Sequence, residues 1–178
     1  MYRKSNIESL LRNLDNKTNE KVEVIAIGGT ALSLTGVKRG SKDVDLCYGD
    51  CKSSSDFAQS IIDSGIEAGI DPAHIEMFHG FEMSILDIPD FEKRSIPYEG
   101  LSLKHIVFKT MHPADIILSK IHRGEARDFE DIKDILDSGI ITSVELKSRF
   151  IEIAKHQQDF EVRRDFMRKY ESFIKTTH

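Results

Sequence analysis

Two hydrophobic runs, each meeting residues that no buried strand needs, constrain this chain most. Val22-Glu23-Val24-Ile25-Ala26-Ile27 runs into Gly28-Gly29-Thr30, and thirteen residues after Gly29 begins Lys42-Asp43-Val44-Asp45-Leu46. The first run predicts a buried strand over 21–27. The paired glycines let the backbone turn tightly and approach another group closely. A helix over about 29–36 follows, and a helix start behind a glycine turn aims free N–H groups where a phosphate is favoured. The second run predicts a strand over 43–48 with two carboxylates at i and i+2, which alternation puts on one face. They lie roughly 7 Å apart along the strand, within reach of metal ions about 3.5–4 Å apart. A phosphate cradle beside a pair of hard oxygen ligands points to phosphoryl or nucleotidyl transfer. The glycines fit neither Gly-x-x-x-x-Gly-Lys-Ser/Thr nor Gly-x-Gly-x-x-Gly, so neither a P-loop nor a dinucleotide site is expected.

Each of these features has a bland alternative. The glycine pair also serves an ordinary strand-to-helix turn, and Arg39 and Lys42 can simply balance Asp43 and Asp45. What favours chemistry is the conjunction, because Mg2+ takes one or two carboxylates together with substrate phosphates. Downstream, Lys120, Arg123 and Arg127 recur at i, i+3 and i+7, one helical face if Gly124 does not interrupt it. Alone, that face reads as solvated charge opposite Leu118 and Ile121.

At these residues the chain resembles the nucleotidyltransferase-fold superfamily of DNA polymerase beta, whose signature is a Gly-Gly or Gly-Ser pair and a later Asp-x-Asp. It is most similar to the small prokaryotic members and to the AbiEii-type toxins of abortive-infection systems, over roughly residues 20–137. Those relatives carry a Lys–Arg–Arg-Asp–Asp pattern on helices, matched here by Lys120, Arg123, Arg127, Asp128 and Asp131. The resemblance implies an α/β (α+β) fold, a mixed sheet flanked by helices. It implies a nucleotidyltransferase that uses two Mg2+ ions and moves a nucleoside monophosphate from a nucleoside triphosphate to an acceptor hydroxyl. Asp43 and Asp45 would hold metal, Gly28, Gly29 and the Thr30 hydroxyl would hold phosphate, and Lys120 would touch a substrate phosphate. An RNA or protein acceptor and an antitoxin partner are allowed by the toxin relatives.

The family places a third carboxylate on a later central strand, here expected over 81–88. Ser84 falls at that position where Asp is the rule, and Asp87 or Glu82 reaches it only by a shift of register. A one-residue slip exchanges the faces of a strand, so the sequence leaves Asp87, Glu82 and an absent third ligand all open. An active transferase and a degenerate nucleotide- or protein-binding module are therefore both expectations.

The 178 residues suit one domain with an appendage, 1–137 for the transferase-like part and 138–178 for a helical extension. A net charge of −5 argues against a protein that coats nucleic acid by bulk attraction. From Lys147 to His178 eight Lys/Arg face five Asp/Glu, a net of +3, which leaves −8 on the other 146 residues. Cys47 and Cys51 lack the neighbours a zinc site needs, and no apolar run approaches the ~18 residues of a membrane span. No secretory h-region follows Met1, so a reduced cytoplasmic protein is expected. Capping boxes are expected at Ser5-Asn6-Ile7-Glu8 and Thr142-Ser143-Val144-Glu145, a helix cap within the run Ser53-Ser54-Ser55-Asp56, and an N-cap at Asp128. Further strands are expected near 74–78 and 104–109, and two closing helices divide around Gln157-Gln158-Asp159.

Overall fold

The structure, a computed structural model, describes residues 1–80 and 87–177. The strand expected over 81–88 therefore lies, but for its last two residues, outside the described residues, and Glu82 and Ser84 with it. The architecture is α/β. Five strands form one mixed sheet in the order β3-β2-β1-β5-β4, and helices flank it. Two compact units emerge along a division different from 1–137 and 138–178. One holds residues up to 80 together with 92–111; the other holds 87–91 and 112–177.

The first unit opens with α1, Lys4–Lys17, whose Ile7, Leu10, Leu11 and Leu14 recur at helical spacing and are fully buried. Each such side chain contributes roughly 1.5–3 kcal/mol by leaving water. The helix begins one residue before Ser5, with Arg3 at the cap, and the Arg3 N–H donates to Asn6 Oδ1 at 3.2 Å. The expected Ser5–Glu8 box does not form because Asn6 already meets the orphan donor. Then follow β1 (Val22–Ala26), α2 (Gly28–Leu34), β2 (Val44–Tyr48) and α3 (Ser54–Glu67). The Ser53 hydroxyl caps α3 by accepting from the Asp56 N–H, as expected. A 3-10 turn (Pro72–His74) leads into β3 (Ile75–His79). Gly65 lets α3 lie directly on β3, since a Cβ there would collide with Ile75 Cδ1. A short α4 (Phe91–Arg94), which lies in this unit from Glu92 on, the two-residue β4 (Ile96–Pro97) and β5 (Ile106–Thr110) complete the list.

Strand pairing follows the burial pattern. The central β1 pairs antiparallel with β2, Ile25 opposite Cys47 and Ala26 opposite Leu46, and parallel with β5 on its other side. Burial on both faces explains why β1 reads as a continuous apolar run rather than an alternating one. On the far side of β2, β3 runs parallel with Asp45 opposite Glu76. At the other edge, β4 pairs antiparallel with β5.

The second unit contains α5 (Pro113–Arg123), α6 (Ala126–Asp137), α7 (Ser143–His156) and α8 (Phe160–Thr177). Pro113 sits at the first helical position and Gly124 ends α5 in the left-handed conformation at φ +75°. The α6 helix starts two residues before Asp128, with Glu125 at the cap; Asp128 is its third residue and accepts the Glu125 N–H at 3.3 Å. Thr142 and Glu145 form the expected box, the Thr142 N–H donating to Glu145 Oε2 at 2.9 Å and the Glu145 N–H to Thr142 Oγ1 at 3.2 Å.

Candidate active site

The site in the first unit is built where β1 ends. Ile27 leaves the strand in an extended conformation and its N–H donates to the Asp45 carbonyl at 3.1 Å. Gly28 then takes φ +51°, which a residue with a Cβ adopts only with strain, and α2 begins. The chain thus reverses directly in front of β2. A Cβ on Gly28 would stand 3.5 Å from Asp45 Oδ2, so the bare glycine Cα walls the space beside that carboxylate.

Thr30 fastens the turn to the neighbouring strand. Its fully buried hydroxyl donates to the Asp43 carbonyl at 3.2 Å and accepts the Asp45 N–H at 2.9 Å. One hydroxyl supplies one proton, so its donor is committed to Asp43. The hydroxyl expected to meet phosphate here clamps the main chain of Asp43-Val44-Asp45. Gly29 has a local reason to be glycine as well. A Cβ there would stand 2.6 Å from Ser41 Oγ, in the loop that leads into β2.

Asp43 precedes β2 and Asp45 lies within it, both half-exposed, while Val44 and Leu46 are buried between and beyond them. Alternation therefore aims the two carboxylates away from the core. Cys47 shares their face but is fully buried. Burial, with the Asp45 charge second, pushes its thiol up to about 12, so it stays protonated and inert. Register adds a residue the sequence reading did not single out. Glu76, exposed on β3, is the parallel partner of Asp45 and so shares its face of the sheet. Its signal in the sequence was one acidic residue in an apolar run, and only the β2–β3 register gives that residue a neighbour.

Among the described residues no three His, Cys, Asp or Glu side chains gather as a metal cluster. Two hard carboxylates next to a glycine turn nevertheless suit Mg2+, which completes its shell with water and substrate phosphates. The thiols are poor soft-metal donors: Cys47 is fully buried, and burial raises Cys51 as well, with Glu20 second.

The remaining expected site residues belong to the second unit. Asp87 is exposed, its carboxylate 2.9 Å from His156 Nε2 on α7, and its carbonyl accepts from Gln157. Lys120 is buried, with its ammonium 3.1 Å from Asp128 Oδ1 and 2.6 Å from Asp131 Oδ2. Arg123 adds a bond from Nε to Asp128 Oδ2 at 2.8 Å. Burial acts to raise the Asp128 carboxyl, but Arg123 and Lys120 together outweigh it and hold the group below its ordinary value. Arg127 is exposed and pairs with Glu125 at 2.8 Å. The basic helix pattern thus closes on the carboxylates of its own α5–α6 hairpin.

The family model described as "Nucleotidyltransferase of unknown function (DUF6036)" matches residues 5–178. No curated protein and no solved structure matches the chain.

Proposed function

Because the chain belongs to that family of nucleotidyltransferases, matched over nearly its whole length, we propose that it moves a nucleoside monophosphate from a nucleoside triphosphate to an acceptor hydroxyl with Mg2+ held at Asp43 and Asp45. The observation that carries this reading is the Thr30 hydroxyl bonded to both Asp43 and Asp45, which makes the glycine turn and the Asp-x-Asp strand one rigid piece. Mg2+ bound there would polarise the reacting phosphate and offset triphosphate charge.

The chain's own residues have separable tasks. Asp43 and Asp45 supply hard oxygens from one face of β2. Gly28 keeps the space beside Asp45 free of any side chain. The N–H groups that open α2 lack intrahelical acceptors, as at any helix start, and are the donors offered to phosphate. Thr30 acts through the strand, not on the substrate. Lys120 contributes by holding α5 to α6, since a phosphate contact would require its ammonium to leave two carboxylates. The family's third carboxylate, which activates or positions the acceptor, is proposed as Glu76, because Glu76 lies beside Asp45 in the sheet whereas Asp87 pairs with His156. The acceptor is an RNA or protein hydroxyl in the toxin-like setting, where an antitoxin partner would restrain transfer.

The test is transfer of α-32P-labelled nucleotide to total RNA, to protein and to the chain itself, with and without Mg2+. Label that appears with the parent, depends on Mg2+ and vanishes in Asp43→Asn supports the reading. Label that survives Asp43→Asn overturns it. The second reading, a degenerate binding module, is favoured by the pairing of Asp87 with His156. It is adopted if parent and Glu76→Gln both bind Mg2+ and ATP and neither transfers label.

A further inference from the structure

The loop that delivers Asp43 to the site does not stand alone. Residues 35–43 connect α2 to β2, and the extreme N-terminus is stitched onto them. The Tyr2 N–H donates to the Ser41 carbonyl at 2.6 Å and the Ser41 N–H returns to the Tyr2 carbonyl at 2.9 Å, an isolated antiparallel bridge. The neighbour of Ser41 is built for that approach. A Cβ on buried Gly40 would stand 2.6 Å from the Tyr2 carbonyl oxygen, a separation real Cβ atoms do not tolerate.

The Tyr2 side chain holds the other end. Its hydroxyl accepts the Asp71 N–H at 3.1 Å and lies 2.8 Å from His74 Nδ1, in the turn that launches β3. The hydroxyl proton is free to go to Nδ1 because the Asp71 bond uses an oxygen lone pair. Tyr2 therefore spans the loop entering β2 and the turn entering β3, the two strands that carry Asp45 and Glu76. Beyond the bridge, Ser41 lies against Gly29, and two residues later the Asp43 carbonyl meets Thr30.

We propose that Tyr2, with Gly40, is a positioning residue for the metal-binding carboxylates: the N-terminal strap sets the path of residues 40–43 and so the placement of Asp43 and Asp45. Its role at the metal rests on the proposed function; the strap itself does not. Nothing in the strap touches metal or nucleotide, and it acts through the Ser41–Gly29 contact and the Thr30 clamp.

The experiment compares the parent with Gly40→Ala and Tyr2→Phe. The first variant adds the methyl that expels the Tyr2 carbonyl, and the second removes only the hydroxyl. Amide hydrogen exchange is followed at Asp45, whose N–H is held by Thr30, and Mg2+-dependent ATP affinity is measured by calorimetry. Gly40→Ala is expected to speed exchange at Asp45 about tenfold while α1 amides stay protected, and to weaken Mg2+-dependent ATP binding by a similar factor, about what one or two hydrogen bonds are worth. Tyr2→Phe is expected to act in the same direction by less. In an Asp43→Asn background the Gly40→Ala loss of affinity should disappear, an outcome that general destabilisation does not produce. Unchanged Asp45 exchange in both variants overturns the strap, and faster exchange with parental affinity overturns its role in positioning the metal-binding carboxylates. A parent that binds no Mg2+ and ATP overturns the proposed function instead, and exchange at Asp45 alone then decides whether the strap sets this segment.

Discussion

The Asp-x-Asp strand of the sheet unit and the α5–α6 hairpin of the helical unit are both dense in charge, and they use it in opposite ways. Asp43 and Asp45 keep half-exposed carboxylates in front of a bare glycine turn. Lys120, Arg123, Asp128 and Asp131 bond to one another, and Lys120 and Asp128 are withdrawn from water altogether. Val44 and Leu46 are buried on one face of β2, and alternation puts Asp43 and Asp45 on the other, where each is half-exposed and within reach of a ligand. A helical hairpin brings charges from two elements together at short range, and burial without a partner would cost several kcal/mol per ion. Half-exposed charge is where a ligand is expected; buried, paired charge is where stability is.

The sharpest break of this contrast is Asp45→Asn or Asp43→Asn. Each should lower Mg2+-dependent ATP affinity and transfer by roughly 10²-fold or more, the scale on which a metal-binding or general-base group acts. Neither should destabilise the fold; relieving the mutual repulsion of two neighbouring carboxylates favours it by ~0.5–1 kcal/mol. Calorimetric titration and thermal unfolding of the same samples check both halves. A variant that binds like the parent, or that unfolds early, places these aspartates with the closed charges.

The helical unit should respond the other way. Arg149 is buried with Nε 2.6 Å and Nη2 3.3 Å from the two oxygens of fully buried Asp115, and Nη2 also donates to the Pro89 carbonyl at 2.6 Å. Arg149→Ala leaves Asp115 charged and buried, at a cost of about 3–5 kcal/mol. Urea unfolding should show that loss, with the double change Arg149→Met and Asp115→Leu recovering most of it. Equal damage from the single and double variants would mean that packing, not loss of the Arg149 counter-charge, dominates.

Lys120 sharpens the comparison because two readings of it differ. As the core of a buried network, Lys120→Met takes the shared ammonium from Asp128 and Asp131 and costs about 3 kcal/mol, with ATP affinity unchanged in the folded protein. As a phosphate contact, the same variant loses affinity tenfold or more and keeps its stability. Thermal unfolding beside an ATP titration separates the two.

Much of the fold was legible in the sequence because it is written in local periodicity. The buried stripe of α1, the apolar run of β1, Pro113 and Gly124 around α5, and the Thr142 box each need only neighbours along the chain. The two-residue β4 is exposed and exists only through β5, so no pattern announces it. The starts of α1 and α6 were displaced because Asn6 and Asp128 cap from the third position inside the helix. At the candidate site, strand alternation was enough to pair Asp43 with Asp45. The inward turn of the Thr30 hydroxyl, the place of Glu76 and the closure of Lys120 depend on which strand or helix lies alongside, and one chain's spacing does not encode that.

The smallest expected effect tests the contrast inside the sheet unit, aspartate against aspartate. Asp15 on α1 accepts main-chain N–H groups from Lys104 at 2.8 Å, His105 at 2.6 Å and Ile106 at 2.8 Å, and so holds α1 to the start of β5. Burial raises its carboxyl, but the three donors together reverse the shift and leave it below its ordinary value. A carboxyl depressed in the fold contributes stability that is fully present above its unfolded value of about 3.9 and is lost as pH falls through the folded value. Asp15→Asn should therefore cost about 1.5 kcal/mol at pH 7, the low end for hydrogen bonds to a charged group, since the amide oxygen still accepts. The gap between parent and variant should narrow as pH falls below about 4, where the parent's carboxyl is itself losing its charge. Urea unfolding at pH 7 and at stepped lower pH measures it. A gap that stays constant with pH assigns the cost to shape, not charge, and no gap at all makes Asp15 as dispensable to the fold as Asp43 and Asp45 are expected to be.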